Sequence, residues 1–522
     1  MSADSAPAVA FTPRRWLLVL LLVSAAARLG LAAAGGQYFM GDESRYQTGV
    51  AIYQALRAGD WAGVGAQLMR PEHAAFNYLN TVVAALQHGL AQFTAWADWS
   101  QAQNPYASAH LAAAVLALFP VLNIWLVHRL ARIAGAGEAE AGWVALLMAA
   151  SNTLFYYSRH LLPYDCALSA ALGGLVFAVA GGPRAAWKSG GGAALAYQLY
   201  NGYWFLVPVI FLAQQLAQPA GPARWRAGAD WVAGCLGATL LLMLPGLAFG
   251  GSGYWSVMQG FSGSVTQGLF REGWSLAGEY LWHSEGWLGV AVLLGAGFAL
   301  GQTLRPGADA GRVRRWGLLL LAGWLLPVLA STGLHQFVVY ARTVRPLVPL
   351  LCLLGGFGLH QLAADRPRWR SVLAGLVVAA ALFNLAPHFR RVFPREFESQ
   401  VLGEYGMPKR WITFTGSIYK PRFVPVRRPD LVLVNTQYLY PLRGYRGFPP
   451  GDVLRSREHP LSYRPYQYEG HVPRERRLLR DHPPAMQLVR PTRTELIPDH
   501  PPPASNFTEA DRPDGRDRGR AQ

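Results

Sequence analysis

The chain has 522 residues, 52% of them hydrophobic, and its 47 Lys and Arg against 30 Asp and Glu give a formal charge of +17. Apolar stretches near twenty residues recur, each long enough to cross roughly 30 Å of hydrocarbon, which argues against a single soluble globule. Such a charge would suggest nucleic acid, but the arginines cluster between apolar stretches, where membrane topology needs them, so no nucleic-acid partner is expected.

The composition fits the same picture. The 56 Gly and 36 Pro are better tolerated in membrane helices than in soluble ones. Cys166, Cys235 and Cys352 each sit inside an apolar stretch, and no CxxC spacing occurs, which argues against a disulfide scaffold or a zinc site. The first apolar run, Trp16 to Ala34, is long enough to span and is followed by no clear cleavage site.

In chain order, spanning helices are expected near 15–34, 106–128, 141–158, 164–181, 189–201, 202–217, 231–250, 287–304, 316–331, 346–363 and 371–387. The fifth and sixth are short enough to be re-entrant instead. Between the first two lies a loop, 35–105, with two amphipathic segments. Residues 44–57 carry Tyr46, Val50 and Tyr53 on one face. Residues 73–96 place Phe76, Leu79, Val83, Leu86, Leu90 and Phe93 at helical spacing, with Asn77, Asn80, Thr81, Gln87, His88 and Gln92 elsewhere, the pattern of a helix lying along a membrane surface. The alternative, a spanning helix at 73–96, would put every later loop on the opposite side.

With the N-terminus in the cytoplasm, each inside segment is basic: Arg14 and Arg15, Arg129 and Arg132, Arg184 and Lys188, Arg224 and Arg226, Arg305 through Arg315, and Arg366 through Arg370. Eleven crossings then place residues after 390 outside. Residues 391–497 are expected to form a periplasmic α/β or mixed domain, with Asp430–Tyr438 alternating like a strand. His459–Arg477, rich in Tyr and Arg, suits either a sugar-binding surface or the packing surface of a small domain. The Pro-rich charged tail, 498–522, is expected to be disordered.

Charged groups beside membrane helices are functional candidates. Four fall on the outside face in this topology: Asp42-Glu43-Ser44-Arg45, Arg70-Pro71-Glu72-His73, the hairpin Arg159 to Asp165, and Tyr340, Arg342 and Arg345. Each has a plainer reading, as a helix cap or a headgroup anchor. Together they suit a carboxylate base and arginines that hold phosphate at the water–lipid boundary.

GDESRYQTGVAIYQAL (Gly41–Leu56) resembles the Asp-Glu motif of the membrane glycosyltransferases that use polyprenyl-phosphate sugars, a group that includes protein O-mannosyltransferases and lipid A aminoarabinose transferases. RPEHAAFNYLNTVVAALQHG (Arg70–Gly89), SRHLLPYDCALSAAL (Ser158–Leu172) and YARTVRPLVPLLCLLGGFGL (Tyr340–Leu359) resemble later motifs of the group, in order, over roughly residues 15–390. Two departures stand out: Leu-Pro-Tyr-Asp is one residue longer than the commoner Leu-Pro-Asp, and Met69 stands where the aminoarabinose enzymes carry an acidic residue.

The resemblance implies an all-α polytopic domain of the GT-C type over 1–390, with catalysis at Asp42, Glu43 and Asp165. It implies donor-phosphate binding by Arg45, Arg70, Arg159, Arg342 and Arg345, with Asp42 as the base. The implied partners are a polyprenyl-phosphate sugar donor, a glycan, lipid or protein acceptor, and the bilayer of a bacterial inner membrane. No cofactor is expected; a divalent cation is left open. The rival readings are a transporter or flippase, which calls for polar or broken helices at the midplane, and a non-catalytic scaffold. A periplasm-dependent reporter fused after residue 400 is expected to be active, and a cytoplasm-dependent one silent; the reverse would overturn the topology.

Overall fold

The computed structural model describes residues 13–37, 43, 45–69, 73–99, 109–182, 184–251, 253, 255–257, 259–260, 281–282, 284–304, 310–334, 345–364, 367–390, 400–401, 404, 408–414, 421–425, 428–435, 451–458 and 485–491. The helices are α1 (Pro13–Ala33), α2 (Arg45–Ala58), α3 (Trp61–Leu68), α4 (Ala74–Leu90), α5 (His110–Ile133), α6 (Glu138–Ala150), α7 (Tyr164–Ala180), α8 (Ala185–Leu199), α9 (Leu206–Ala217), α10 (Pro222–Gly250), α11 (Trp287–Gln302), α12 (Ala310–Leu334), α13 (Val348–Leu362) and α14 (Pro367–Arg390). Four of them, α1, α5, α10 and α14, are long and apolar enough to cross a membrane; α7, α9 and α11 are shorter apolar helices. The protein is a multi-spanning membrane protein.

A helix lies at each expected apolar segment, with one correction of shape. Residues 141–158 are not one continuous helix: α6 stops at Ala150, and the chain continues as a helical turn, Asn152–Phe155, and a 3₁₀ turn, Tyr156–Arg159. The break occurs at Ser151, whose backbone is extended and whose hydroxyl accepts from Leu154 N–H. A buried carboxylate, Glu285, takes over as acceptor for the amides freed there: Asn152 N–H and Thr153 N–H at 2.9 Å each.

The amphipathic segments form α2 and α4, and the side of α4 turned to the protein is mixed, apolar with three amide side chains. Asn77, Asn80 and Gln87 are buried with Phe76 and Val83, while Val82, Leu86 and Phe93 are exposed. Tyr46 donates to Gln87 Oε1 at 2.6 Å, and Tyr53 pairs with His88 Nδ1 at 3.2 Å. Burial pushes the Tyr46 phenol above its ordinary value, so it serves as a neutral donor. Polar contacts join α4 to α2, and Val82 and Leu86 stay on the exposed side.

Elsewhere the helices approach through glycine, as membrane helices do when they associate by close packing. A Cβ at Gly358 on α13 would stand 1.8 Å from Gly295 O on α11, and one at Gly356 would stand 2.5 Å from Val144 Cγ2 on α6. A buried pair lies beside this contact: Arg312 Nη2 on α12 donates to Glu140 Oε1 on α6 at 2.8 Å, with its guanidinium 4.6 Å from the ring of Phe357, which stands between the two glycines.

After α14 the described elements are strands β1 (Pro408–Phe414), β2 (Pro421–Pro425), β3 (Arg428–Asn435), β4 (Gly451–Glu458) and β5 (Ala485–Pro491). They form one sheet in the order β2-β1-β3-β5-β4, parallel between β1 and β3 and antiparallel elsewhere. The strand expected at 430–438 corresponds to β3, with Leu431 buried. His459–Arg477 and the tail 498–522 lie outside the described residues.

Gly358→Leu is expected to lower the melting midpoint of the detergent-solubilised protein, because the backbone it meets cannot yield; overpacking of this kind typically costs about 1–3 kcal/mol. Gly297→Leu, at an exposed position with nothing within 4 Å, is the control and should leave the midpoint unchanged.

Candidate functional site

The interior is organised around the stretch between α6 and α7. Residues 151–163 are all buried, yet much of this chain is irregular. Its amides and charges are therefore met from several other elements.

Glu43, from the loop after α1, is fully buried. Its Oε1 accepts Leu161 N–H at 2.9 Å and its Oε2 lies 3.2 Å from His160 Nδ1. Gln37 Nε2 donates to Arg159 O at 3.0 Å, and Arg159 Nη2 donates to Leu31 O at 3.3 Å. The loop that carries the Asp-Glu motif is thus fastened to the hairpin that carries Arg159.

Asp165, in the first turn of α7, pairs with Arg345, which stands in the 3₁₀ turn before α13. Asn123 on α5 donates to Asp165 Oδ1 at 3.4 Å and to Asp165 O at 3.2 Å. Ser169 Oγ donates to Asn123 Oδ1 at 2.6 Å and so fixes the amide's orientation. Arg345 also donates to Leu154 O at 3.2 Å and lies 4.9 Å from the Tyr157 ring centre. Burial alone would lower the Arg345 guanidinium, but Asp165, with the phenols of Tyr203 and Tyr157, more than offsets this and holds it above its ordinary value.

A row of buried tyrosines packs beside these groups. Ring contacts run from Tyr156 to Tyr157 (4.8 Å), Tyr157 to Tyr164 (4.9 Å), Tyr164 to Tyr200 (4.8 Å) and Tyr200 to Tyr203 (4.9 Å). His73 ends the row, 5.2 Å from Tyr200. It has a left-handed backbone (φ 55°) at the start of α4, and its Nδ1 accepts Asn201 N–H at 3.4 Å. The start of α4 is by this means tied to the same row.

Of the residues proposed from sequence, Glu43, Arg159, Asp165 and Arg345 are brought into one buried constellation. Arg45 begins α2 and is half-buried. Asp42, Arg70 and Arg342 lie outside the described residues, as do Ser44 and Tyr340. Among the described residues, no three His, Cys, Asp or Glu side chains come together as a metal-binding group.

Sequence reasoning missed several members. Arg28, in the middle of the apolar run of α1, is buried with its guanidinium 4.9 Å from the Phe155 ring; an arginine inside an apolar run is itself the signal that should have found it. Glu285 also receives Ser151 Oγ–H at 2.6 Å and is reinforced from α14, where Asn384 donates to Glu285 O and His388 meets Asn152 Oδ1 at 2.9 Å. No spacing in the sequence links 285 to 151 or 388.

Among the solved structures that resemble this chain are two of ArnT and one of an oligosaccharyltransferase. The apo form of ArnT from Cupriavidus metallidurans is 13% identical over 71% of this chain and 64% of its own, with a TM-score of 0.46. The same enzyme bound to undecaprenyl phosphate is 12% identical over 74% and 72%, with a TM-score of 0.47. The apo oligosaccharyltransferase of Archaeoglobus fulgidus is 12% identical over 71% and 54%, with a TM-score of 0.41. The chain thus spans less than two thirds of the apo ArnT structure and about half of the oligosaccharyltransferase. No family model matches the chain, and no curated protein does.

Asp165→Asn would leave Arg345 buried without its counter-charge, and Arg345→Met would strand Asp165. Each single change is expected to destabilise by about 3–5 kcal/mol. The double variant should lose clearly less than the sum, read as melting midpoints in detergent. Additive losses would show that the two residues are not coupled.

Proposed function

We propose that this chain is an integral-membrane glycosyltransferase that moves a sugar from a polyprenyl-phosphate carrier to a hydroxyl acceptor on the periplasmic face of a bacterial inner membrane. The observation that carries the reading is the meeting of three separate motif segments, around Glu43, Arg159–Asp165 and Arg345, in one buried cluster of arginines and carboxylates lined by tyrosine. A general packing role would not require charged groups from the sequence motifs of such an enzyme to converge.

In this reading Asp42, one peptide bond from the clamped Glu43, is the base. The acceptor oxygen forms a bond to the anomeric carbon as its proton passes to Asp42. The bond from that carbon to the phosphate oxygen breaks, its electron pair stays with the phosphate, and the polyprenyl phosphate leaves. The configuration inverts. Arg45, Arg70, Arg159 and Arg342 bind the phosphate and stabilise the charge that builds on it. Glu43, with both oxygens engaged, positions the loop, and Asp165 orients Arg345. The eleven crossings, the outward C-terminal sheet domain and the acceptor, whether glycan, lipid or protein, belong to the same proposal.

Asp42→Asn is expected to insert normally and to lose transfer by about 100- to 10,000-fold, because the amide cannot accept the proton. Arg159→Lys should keep protein level but lower donor efficiency by about ten- to a hundredfold, since a point charge replaces a planar fork. Transfer assays at matched protein levels check both. Wild-type turnover in Asp42→Asn would make that residue a cap, and unchanged donor kinetics in Arg159→Lys would remove it from the phosphate site.

A further inference from the structure

We propose that Arg28 on α1 is a further phosphate-binding residue, one that takes the head of the lipid carrier from within the membrane domain; the proposal rests on the reading of function above. Among the described residues, Arg28, Arg159 and Arg345 are the three largest fully buried side chains. Arg28 is 1% exposed, five residues before the end of α1 at Ala33, or about 7–8 Å along the helix. Its Nη1 donates to Ser24 O at 3.3 Å, within its own helix.

The rest of the group is left open. Arg28 Nε and Nη2 have no hydrogen-bond partner among the described residues. These two N–H groups form one edge of the guanidinium, the fork that holds two oxygens of a carboxylate or phosphate at once. Asp165 lies within electrostatic range but is engaged by Arg345 and Asn123. Arg345, also within range of Arg28, leaves its own Nε and Nη1 without a partner. Both buried guanidiniums thus present donors that no described residue fills, and the Asp165 carboxylate is already engaged by Arg345.

A buried cation with unfilled donors is strongly unfavourable unless a ligand completes it. The ligand must be an anion with at least two free oxygens, small enough at its head to enter a tyrosine-lined interior. A phosphate ester meets both demands, and an apolar tail explains why the fork sits on a helix that crosses the membrane. Free phosphate shares the head chemistry, so the test must separate the two.

The test titrates the full-length protein in detergent with a polyprenyl phosphate, the matching polyprenol and inorganic phosphate, reading the melting midpoint. Wild type, Arg28→Lys and Arg28→Gln are compared; Lys keeps the charge without the fork and serves if Gln does not fold. Polyprenyl phosphate is expected to stabilise wild type where polyprenol and inorganic phosphate do not, with half-saturation raised roughly 10- to 100-fold in Arg28→Lys. Equal half-saturation in wild type and Arg28→Lys would overturn the role of Arg28 and leave the function intact. Stabilisation by inorganic phosphate equal to that by the lipid would overturn the lipid assignment. No preference of wild type for polyprenyl phosphate over polyprenol would sink the reading of function and this inference together.

Discussion

The structure depends on burying a stretch of irregular chain, residues 151–163, inside a helical membrane protein. Buried backbone outside a continuous helix must have its polar groups satisfied by the protein around it. Three carboxylates at separate points of the sequence contribute. Glu285 takes the amides of Asn152 and Thr153, Glu43 takes that of Leu161 together with His160, and Asp165 holds Arg345, which in turn donates to Leu154 O. Each also fastens another element to the hairpin, so the fold and the site are made by the same bonds.

Seen this way, the tyrosines and arginines have a shared logic. A guanidinium in a low-dielectric interior needs a counter-charge or an aromatic face. Arg345 has both, in Asp165 and Tyr157. Arg28 has the Phe155 ring and, among the described residues, no ion pair. In the proposed function such donors receive an anion from outside the chain, which unites the proposed carrier phosphate with the proposed role of Arg28.

Much of this was legible in the sequence, because membrane helices announce themselves by length and hydropathy. The amphipathic spacing of 73–96 gave the helix α4, but not which face meets protein. Polar Gln87 packs inward because α2 offers the Tyr46 hydroxyl, and Asn80 packs against Gly49 of the same helix; a one-dimensional pattern cannot name those partners. The hairpin was recognisable from Arg159 and Asp165, whereas its break at Ser151 was not, since the acceptor that makes the break affordable is Glu285, 134 residues away. Charges from other motifs marked the site; residues that act through long-range contacts, such as Gln37, His160 and Glu285, carried no local signal.

The central claim is that the buried cluster at the hairpin receives a lipid-borne phosphate. The most direct test is photo-crosslinking of the full-length protein with a polyprenyl phosphate that carries a photoreactive group beside its phosphate, followed by peptide mapping. The account predicts labelling of the segment 151–165, competed by unlabelled polyprenyl phosphate and not by polyprenol. Labelling confined to lipid-facing residues of α10 or α14, or equal competition by polyprenol, would contradict it.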